Sequence, residues 1–303
     1  MILPKINKII NHPNFKPAIS GFIKESAKHP YLMSKEISHW LFGMQEPKAG
    51  VRFEQHCHSH FSDGANLADI IELLFDKCIT VWSLTDHHNS NAFNKIANGT
   101  YNLNSNSKTN RKFDVEIQHD KRALTIYSGN KSLVLLRSVE YYTNKGEINI
   151  HGYSGKILKP KQPLEDAIKF GIDNGGWVAI NHVGFYQGIG FNGRKEVEKA
   201  VKAGAIAIEK NGTEILIQIF SAVQAEAYAK EFGLALLASG DAHKLHMYGL
   251  SGLTFEDKNY RTVLKQCNGS HADTIKTLVE EHKFETYLNY ISFSQFKDFR
   301  FQG

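Results

Sequence analysis

The chain has 303 residues, of which 42% are hydrophobic and 22% are charged, and this ordinary composition excludes a disordered or fibrous protein. The net charge of +5 favours an anionic ligand, and because the Lys and Arg residues are spread along the chain it favours a phosphorylated small molecule over nucleic acid. Three scattered cysteines form no disulfide framework, and the chain shows neither a secretion signal nor a long apolar run, so we expect a cytoplasmic protein without a membrane segment.

Residues 1–50 predict one or two amphipathic helices, broken near His29 and Pro30, that pack against the main domain. From residue 51 to about 250 the chain repeats a short apolar run, a polar segment and a stretch of helical periodicity, which is typical of βα units. Residues 251–303 predict a C-terminal extension with one strand and two helices. We therefore expect a central domain, residues 51–250, between two extensions.

Seven apolar runs in the central domain are predicted strands. They lead into His56 or span 83–85, 134–139, 148–153, 177–181, 205–208 and 234–238. Ionisable residues follow nearly all of these runs, the first and the last included, and only a closed ring of strands lets all of them meet. The sequence therefore predicts an α/β fold with a seven-stranded, TIM-like barrel, interrupted by an insertion at about 99–132 whose segment 102–112 is an exposed loop.

Two motifs pair residues at a spacing of two. In His56-Cys57-His58 both imidazoles face one side of an extended chain, close enough to share a metal ion, and Asp241 and His243 have the same spacing after the last strand. Asp63 follows the first motif on the turn into a helix, where it either binds the same metal or caps the helix.

Between these motifs, further strands end in metal-ligand side chains. They are Asp86 and His87, Glu140, His151 and His182. Carboxylates and imidazoles crowded into one cleft would repel one another or leave buried charge unpaired, at a cost of several kcal/mol, unless cations hold them together. The sequence therefore predicts a metal centre.

In the order and combination of these segments, residues 52–249 resemble the polymerase and histidinol phosphatase (PHP) superfamily. The resemblance implies a distorted (βα)7 barrel and phosphoester hydrolysis at a centre of two or three divalent ions, Mn, Zn or Fe. It assigns one ion to His56, His58, Glu140 and Asp241, a second to Glu140, His151 and His182, and a third to Asp63, His87 and His243. Asp86 is expected to orient a ligand.

This chain departs from the family pattern at two positions. Asn181-His182-Val183 stands where Ala-His-Pro is common, and His88 stands where Asp is frequent. Neither departure removes a ligand, but both alter the expected rim of the substrate site.

Catalysis needs an acid for the leaving group and a cation for the phosphate. His182, His243 and a metal-bound water are candidates for the acid, and Arg194, after a Gly-rich stretch, is the candidate cation. Phe185, Tyr186 and Phe191 on the same loop are candidates to stack a nucleobase, and Lys210 is a further candidate for contact with the substrate.

The predicted function is hydrolysis of a phosphomonoester, either a nucleotide or another small metabolite, with no protein partner evident. One alternative is a nuclease acting on short oligonucleotides. A non-catalytic regulatory module with a structural metal and a carbon–nitrogen hydrolase are two others. Salt dependence and the identity of the products distinguish them.

Overall fold

The computed structural model describes residues 23–109, 111–184, 187–189, 193–212 and 218–290. Phe185, Tyr186, Phe191 and part of the Gly-rich stretch before Arg194 lie outside these residues, so their predicted contacts with substrate remain predictions.

The described residues form twelve strands. Their bounds are Val51–Glu54 (β1), Val81–Leu84 (β2), Asp114–Ile117 (β3), Ala123–Ser128 (β4), Lys131–Arg137 (β5), Val139–Thr143 (β6), Gly146–His151 (β7), Trp177–Ile180 (β8), Ala207–Asn211 (β9), Ala235–Ser239 (β10), Gly252–Phe255 (β11) and Glu285–Tyr287 (β12). A seven-stranded sheet has the order β12-β11-β1-β2-β5-β4-β3, and a five-stranded sheet has the order β10-β9-β8-β7-β6.

Two isolated parallel bridges join the sheets, one between Cys57 and Ala242 and the other between His87 and Glu140. The first connects the end of β1 to the end of β10, and the second connects the end of β2 to β6. The predicted α/β fold is confirmed. The strand pairings of the described residues do not form a closed ring. The chain passes from the larger sheet to the smaller one at Ser138, between β5 and β6.

Each of the seven predicted strands overlaps an observed one, and β11 overlaps the strand predicted in the C-terminal extension, but β3, β4, β6 and β12 were not predicted. β3 and β4 form an antiparallel hairpin inside the insertion and extend the larger sheet. β6 pairs antiparallel with β7, and β7 pairs antiparallel with β8, so β7 runs against both of its neighbours. This reversal decides which residues of β7 reach the site.

Helical periodicity predicted six of the α-helices, but Asn91–Ala97, Leu103–Asn106 and Gln218–Phe232 were not predicted, and the second of these lies in the segment 102–112 that was predicted as an exposed loop. Nine α-helices have their bounds in the described residues. They are Pro30–Phe42 (α1), Leu67–Asp76 (α2), Asn91–Ala97 (α3), Leu103–Asn106 (α4), Leu164–Asp173 (α5), Arg194–Ala203 (α6), Gln218–Phe232 (α7), Asp257–Gln266 (α8) and His271–Glu280 (α9). In α2 the apolar residues Leu67, Ile70, Ile71 and Leu74 are buried, and the side chain of Asn66 caps the helix by accepting hydrogen bonds from the backbone N–H groups of Ala68 and Asp69. The position of the first turn is therefore fixed by Asn66.

The N-terminal helix α1 packs on α7 and begins at Pro30, a residue suited to a first helical turn. Lys210 of β9, predicted as a candidate for substrate contact, instead donates to the buried Glu36 of α1, with Nζ 2.5 Å from Oε1. This ion pair ties β9 to α1. In the described part of the chain, no helix is both long enough and apolar enough to cross a membrane.

The C-terminal segment shares a core with the strands. β11 pairs antiparallel with β1, and one buried apolar cluster includes Phe53, Trp177 and Leu237 of the strands together with Ile275 and Leu278 of α9. Burial of this surface stabilises strands and helix together.

We therefore expect Leu278→Ala to lower the free energy of unfolding of the whole protein by about 2–5 kcal/mol, since it leaves a cavity at a fully buried position. Urea unfolding followed by circular dichroism measures the change, with Glu280→Ala on the exposed side of α9 as the control. A variant that keeps the wild-type midpoint and adds a separate small transition would show that α9 unfolds on its own.

Candidate metal centre

The two motifs spaced by two lie side by side. His58 donates its backbone N–H to the carbonyl of Ala242 at 2.9 Å, which brings the end of β1 against the end of β10. His56 and His58 are fully buried, and their Nε2 atoms lie 3.2 and 3.0 Å from Asp241 Oδ1 and 3.3 Å from each other. As expected, both imidazoles face one point.

Glu140 lies at the centre of the site. Its Oε1 is 3.2 Å from His56 Nε2 and 3.0 Å from His182 Nε2, and its Oε2 is 3.4 Å from His58 Nε2 and 2.8 Å from His87 Nδ1. Four imidazoles from three strand ends thus converge on one buried carboxylate, an arrangement suited to a ligand that bridges two ions.

The open side of the site contains Asp63, His87 and His243, whose side chains are 58%, 33% and 13% exposed. Asp63 Oδ1 lies 3.5 Å from His87 Nε2 and 3.2 Å from His243 Nε2. Because Asn66 caps α2, Asp63 is not the cap, and its carboxylate faces the histidines.

Asp86 lies beside the cluster and holds the turn after His58. Its carboxylate accepts from Ser59 N at 2.6 Å, from Ser59 Oγ at 2.7 Å and from Ser62 Oγ at 2.7 Å, while Ser62 Oγ is 3.4 Å from His58 Nδ1. A Cβ atom on Gly64 would collide with the carbonyl of His58, so this turn requires glycine. These contacts support the orienting role expected for Asp86.

The structure does not bring His151 to the cluster. Its Nδ1 is hydrogen-bonded to Ser83 Oγ at 2.6 Å, and its ring stacks on Trp177 with centroids 4.2 Å apart. In the strand register His151 pairs with Trp177, the first residue of β8, whereas His182 follows the last. Because β7 runs antiparallel to β8, its last residue, His151, lies beside the start of β8, at the opposite end of that strand from His182.

Arg194 is also held elsewhere. Its guanidinium contacts Glu231 and Glu198 on the outer helices, and it lies over the ring of Phe232 at 5.1 Å. These contacts keep the predicted phosphate ligand among the helices, away from the cluster.

Two carboxylates that the sequence analysis did not select lie at the site. Both oxygens of Glu209 are 3.0 Å from His56 Nδ1, and Glu209 also accepts from Ser239 Oγ and from the backbone N–H of His182 at 3.3 Å. Glu147 forms a compact group with His87 and Glu140. Glu209 directly follows the predicted apolar run 205–208, the same signal that identified Glu140.

The charges of the cluster are strongly coupled. Burial lowers the pKa of His182, but hydrogen bonding and attraction to Glu140 outweigh burial and raise this pKa to about 10. Burial also raises the pKa of Glu140, but the attraction of His56 and hydrogen bonds from its imidazole neighbours hold it well below its ordinary range. Burial, and after it the charge of Glu140, raises the pKa of Glu147 to about 8.

Two residues of the cluster have left-handed backbone conformations. The φ angles are 29° at His182 and 42° at Asp241, each just after the end of a strand. Such conformations are rare outside glycine and concentrate at functional sites.

The donor set fits divalent metal ions. Ligand atoms lie within 4.8 Å of one another in four groups: His58, Asp63, His87 and His243; His56, Glu140 and His182; His56, His58 and Asp241; and His87, Glu140 and Glu147. Mixed imidazole and carboxylate donors suit Zn, Mn and Fe. Of the nine predicted ligands, all but His151 belong to at least one group.

Comparison with solved structures identifies the class of fold. A two-domain protein from Bacteroides vulgatus, described as containing a predicted PHP-like metal-dependent phosphoesterase, matches 86% of this chain and 72% of its own, with a TM-score of 0.51 and 14% identity. The chain therefore has a PHP-like fold, in agreement with the family that its motifs resemble.

Two further structures have lower scores. PsfC from Pseudomonas syringae matches 68% of this chain and 82% of its own, with a TM-score of 0.48 and 14% identity. Endonuclease Q in complex with duplex DNA carrying an abasic lesion matches 71% of this chain and 56% of its own, with a TM-score of 0.47 and 12% identity. Neither a family model nor a curated protein matches the sequence.

Proposed function

We propose that this chain is a metal-dependent hydrolase of phosphoester bonds, whose substrate is a small phosphomonoester such as a nucleotide or another phosphorylated metabolite. One observation carries the proposal: imidazoles and carboxylates from at least five separate strand ends converge on one partly open cleft, with their ligand atoms within 4.8 Å of one another in overlapping groups. Divalent cations would pair the buried carboxylates of such a cluster and offset the cost of burying their charge.

In this proposal His56, His58, Glu140 and Asp241 hold one ion. Glu140 and His182 contribute to a second, and Asp63, His87 and His243 hold a third near the mouth. When bound, such ions lower the pKa of water enough to make it a nucleophile at neutral pH and stabilise charge on the phosphoryl oxygens.

The remaining steps fall to the side chains. Glu209 accepts a hydrogen bond from His56 Nδ1 and so leaves Nε2 bare and directed at the cleft. When only two ions are bound, His243 is the better candidate for the acid that protonates the leaving alcohol, because it is then not a metal ligand and is 13% exposed beside the open Asp63, whereas His182 contributes to the second ion and is 3% exposed.

The proposal also includes the architecture. We take the two sheets, joined by bridges at both ends, as one distorted barrel formed by residues 51–250, on which residues 1–50 and 251–303 are extensions. This arrangement supports a site at one end of the barrel, where the ends of the strands contribute the side chains.

Release of inorganic phosphate tests the proposal. Metal-loaded protein should hydrolyse nucleotides, sugar phosphates or p-nitrophenyl phosphate faster than bis(p-nitrophenyl) phosphate or a short oligonucleotide, and chelation should stop the reaction. Preference for the diesters, with binding that weakens steeply as salt increases, would favour the nuclease alternative.

The other two alternatives have their own signatures in the same screen. An amine and an acid formed from amide substrates would favour a carbon–nitrogen hydrolase. Bound metal without turnover on any substrate class would favour the regulatory module.

A further inference from the structure

The reversed strand β7 presents alternate residues to the interior of the site. Glu147, Asn149 and His151 are spaced by two and therefore share one face. In the strand register Asn149 lies opposite Glu140, and Glu147, two residues before Asn149, lies opposite Tyr142. His151 lies four residues from Glu147, about 13 Å along the strand.

The contacts agree with this register. Glu147 is 5% exposed, and its carboxylate, Glu140 and His87 place ligand atoms within 4.8 Å of one another. Gln187 Nε2 lies 3.2 Å from Glu147 Oε1, and Glu147 Oε2 lies 3.8 Å from His182 Nδ1. One oxygen is thus held by an amide while the other faces the cluster.

A second observation comes from the amides at the same level. Asn181 is fully buried, and its Nδ2 donates to Glu140 Oε1 at 2.9 Å and to Asn149 Oδ1 at 3.0 Å. Asn181 Oδ1 has no hydrogen-bond partner among the described residues. A buried carbonyl oxygen without a donor, on a side chain that is hydrogen-bonded to the buried carboxylate of Glu140, is the environment that a cation would satisfy.

We propose that Glu147 is a metal ligand, and that beside Glu140 and His87 it supplies the centre with the donor that the family pattern assigns to His151. The inference rests on the proposed function, since it supplies a ligand to the same centre. We assign His151 a structural role, because its ring stacks on Trp177 and its Nδ1 is hydrogen-bonded to Ser83.

Mn²⁺ binding measured by equilibrium dialysis tests the assignment without relying on turnover. Glu147→Gln keeps the shape of the side chain but removes its charge, and we expect it to bind one ion fewer per chain, or one ion at least about 10-fold more weakly. Glu256→Gln, at an exposed surface position, should bind as the wild type does. His151→Gln should keep the wild-type number of ions.

Circular dichroism and gel filtration establish that each variant is folded. If Glu147→Gln does not fold, Glu147→Asp takes its place, because it keeps the charge and withdraws the carboxylate by one methylene, and it should weaken the same ion.

Wild-type binding by Glu147→Gln, or loss of an ion in His151→Gln alone, would overturn the assignment and leave the proposed function standing. A wild-type protein that binds no divalent ion would overturn both.

Discussion

Asp241→Asn should lower the rate of phosphoester hydrolysis by about 1,000-fold or more while the protein remains folded. The carboxylate of Asp241 is the shared partner of His56 and His58, at 3.2 and 3.0 Å from their Nε2 atoms. Removing its charge leaves the inner ion with one anionic ligand fewer at the point where the reaction needs the strongest field. Asparagine tolerates the left-handed backbone at this position, so the loss should not come from unfolding.

His58→Ala should have an effect of similar size, because it removes an imidazole that contacts both Asp241 and Glu140. His246→Ala, an exposed histidine close by in the chain, is the matched control and should keep wild-type turnover. Steady-state rates and metal content are the measurements. Normal turnover and normal metal content in Asp241→Asn would contradict the proposed metal centre.

Glu209→Gln should weaken binding of the inner ion by about 10- to 100-fold. Glu209 accepts from His56 Nδ1, which fixes the tautomer with a bare Nε2, and it also accepts from Ser239. A glutamine side chain offers an NH₂ group as well as an oxygen. Where the NH₂ group faces Nδ1, the imidazole must carry its proton on Nε2 and can no longer bind a metal.

Competition with a chelating dye measures this affinity, and Glu281→Gln on the protein surface is the control. An affinity equal to that of the wild type would mean that the orientation of His56 depends on other contacts.

The sequence predicted most of the cluster because strand periodicity is a local property. A spacing of two places His56 with His58 and Asp241 with His243, whatever the rest of the fold does. The prediction that these motifs meet in space came from the repeat of apolar runs that end in polar residues. The contacts of Glu140 with His56 and His58 agree with this prediction.

His151 was misplaced because strand direction is not a local property. The prediction assumed that every strand delivers its last residue to the site, which holds for parallel strands only. A hairpin is indicated by the run Thr143-Asn144-Lys145-Gly146 between two apolar segments. This signal predicts that β7 runs antiparallel to β6.

Other features depend on long-range pairing that one sequence does not reveal. The contact of Lys210 with Glu36 joins residues 174 positions apart, and nothing near either residue indicates the other. Arg194 illustrates the same limit, since its partner Glu231 lies 37 positions away on a different helix.

The left-handed backbone at His182 and Asp241 implies a conflict between heat tolerance and chemistry. Each such residue costs about 1–3 kcal/mol relative to one that adopts the conformation freely. Glycine at either position would relieve that cost and lose the ligand. A descendant of this protein that no longer needed its metals would therefore gain thermal stability by abandoning these two side chains first.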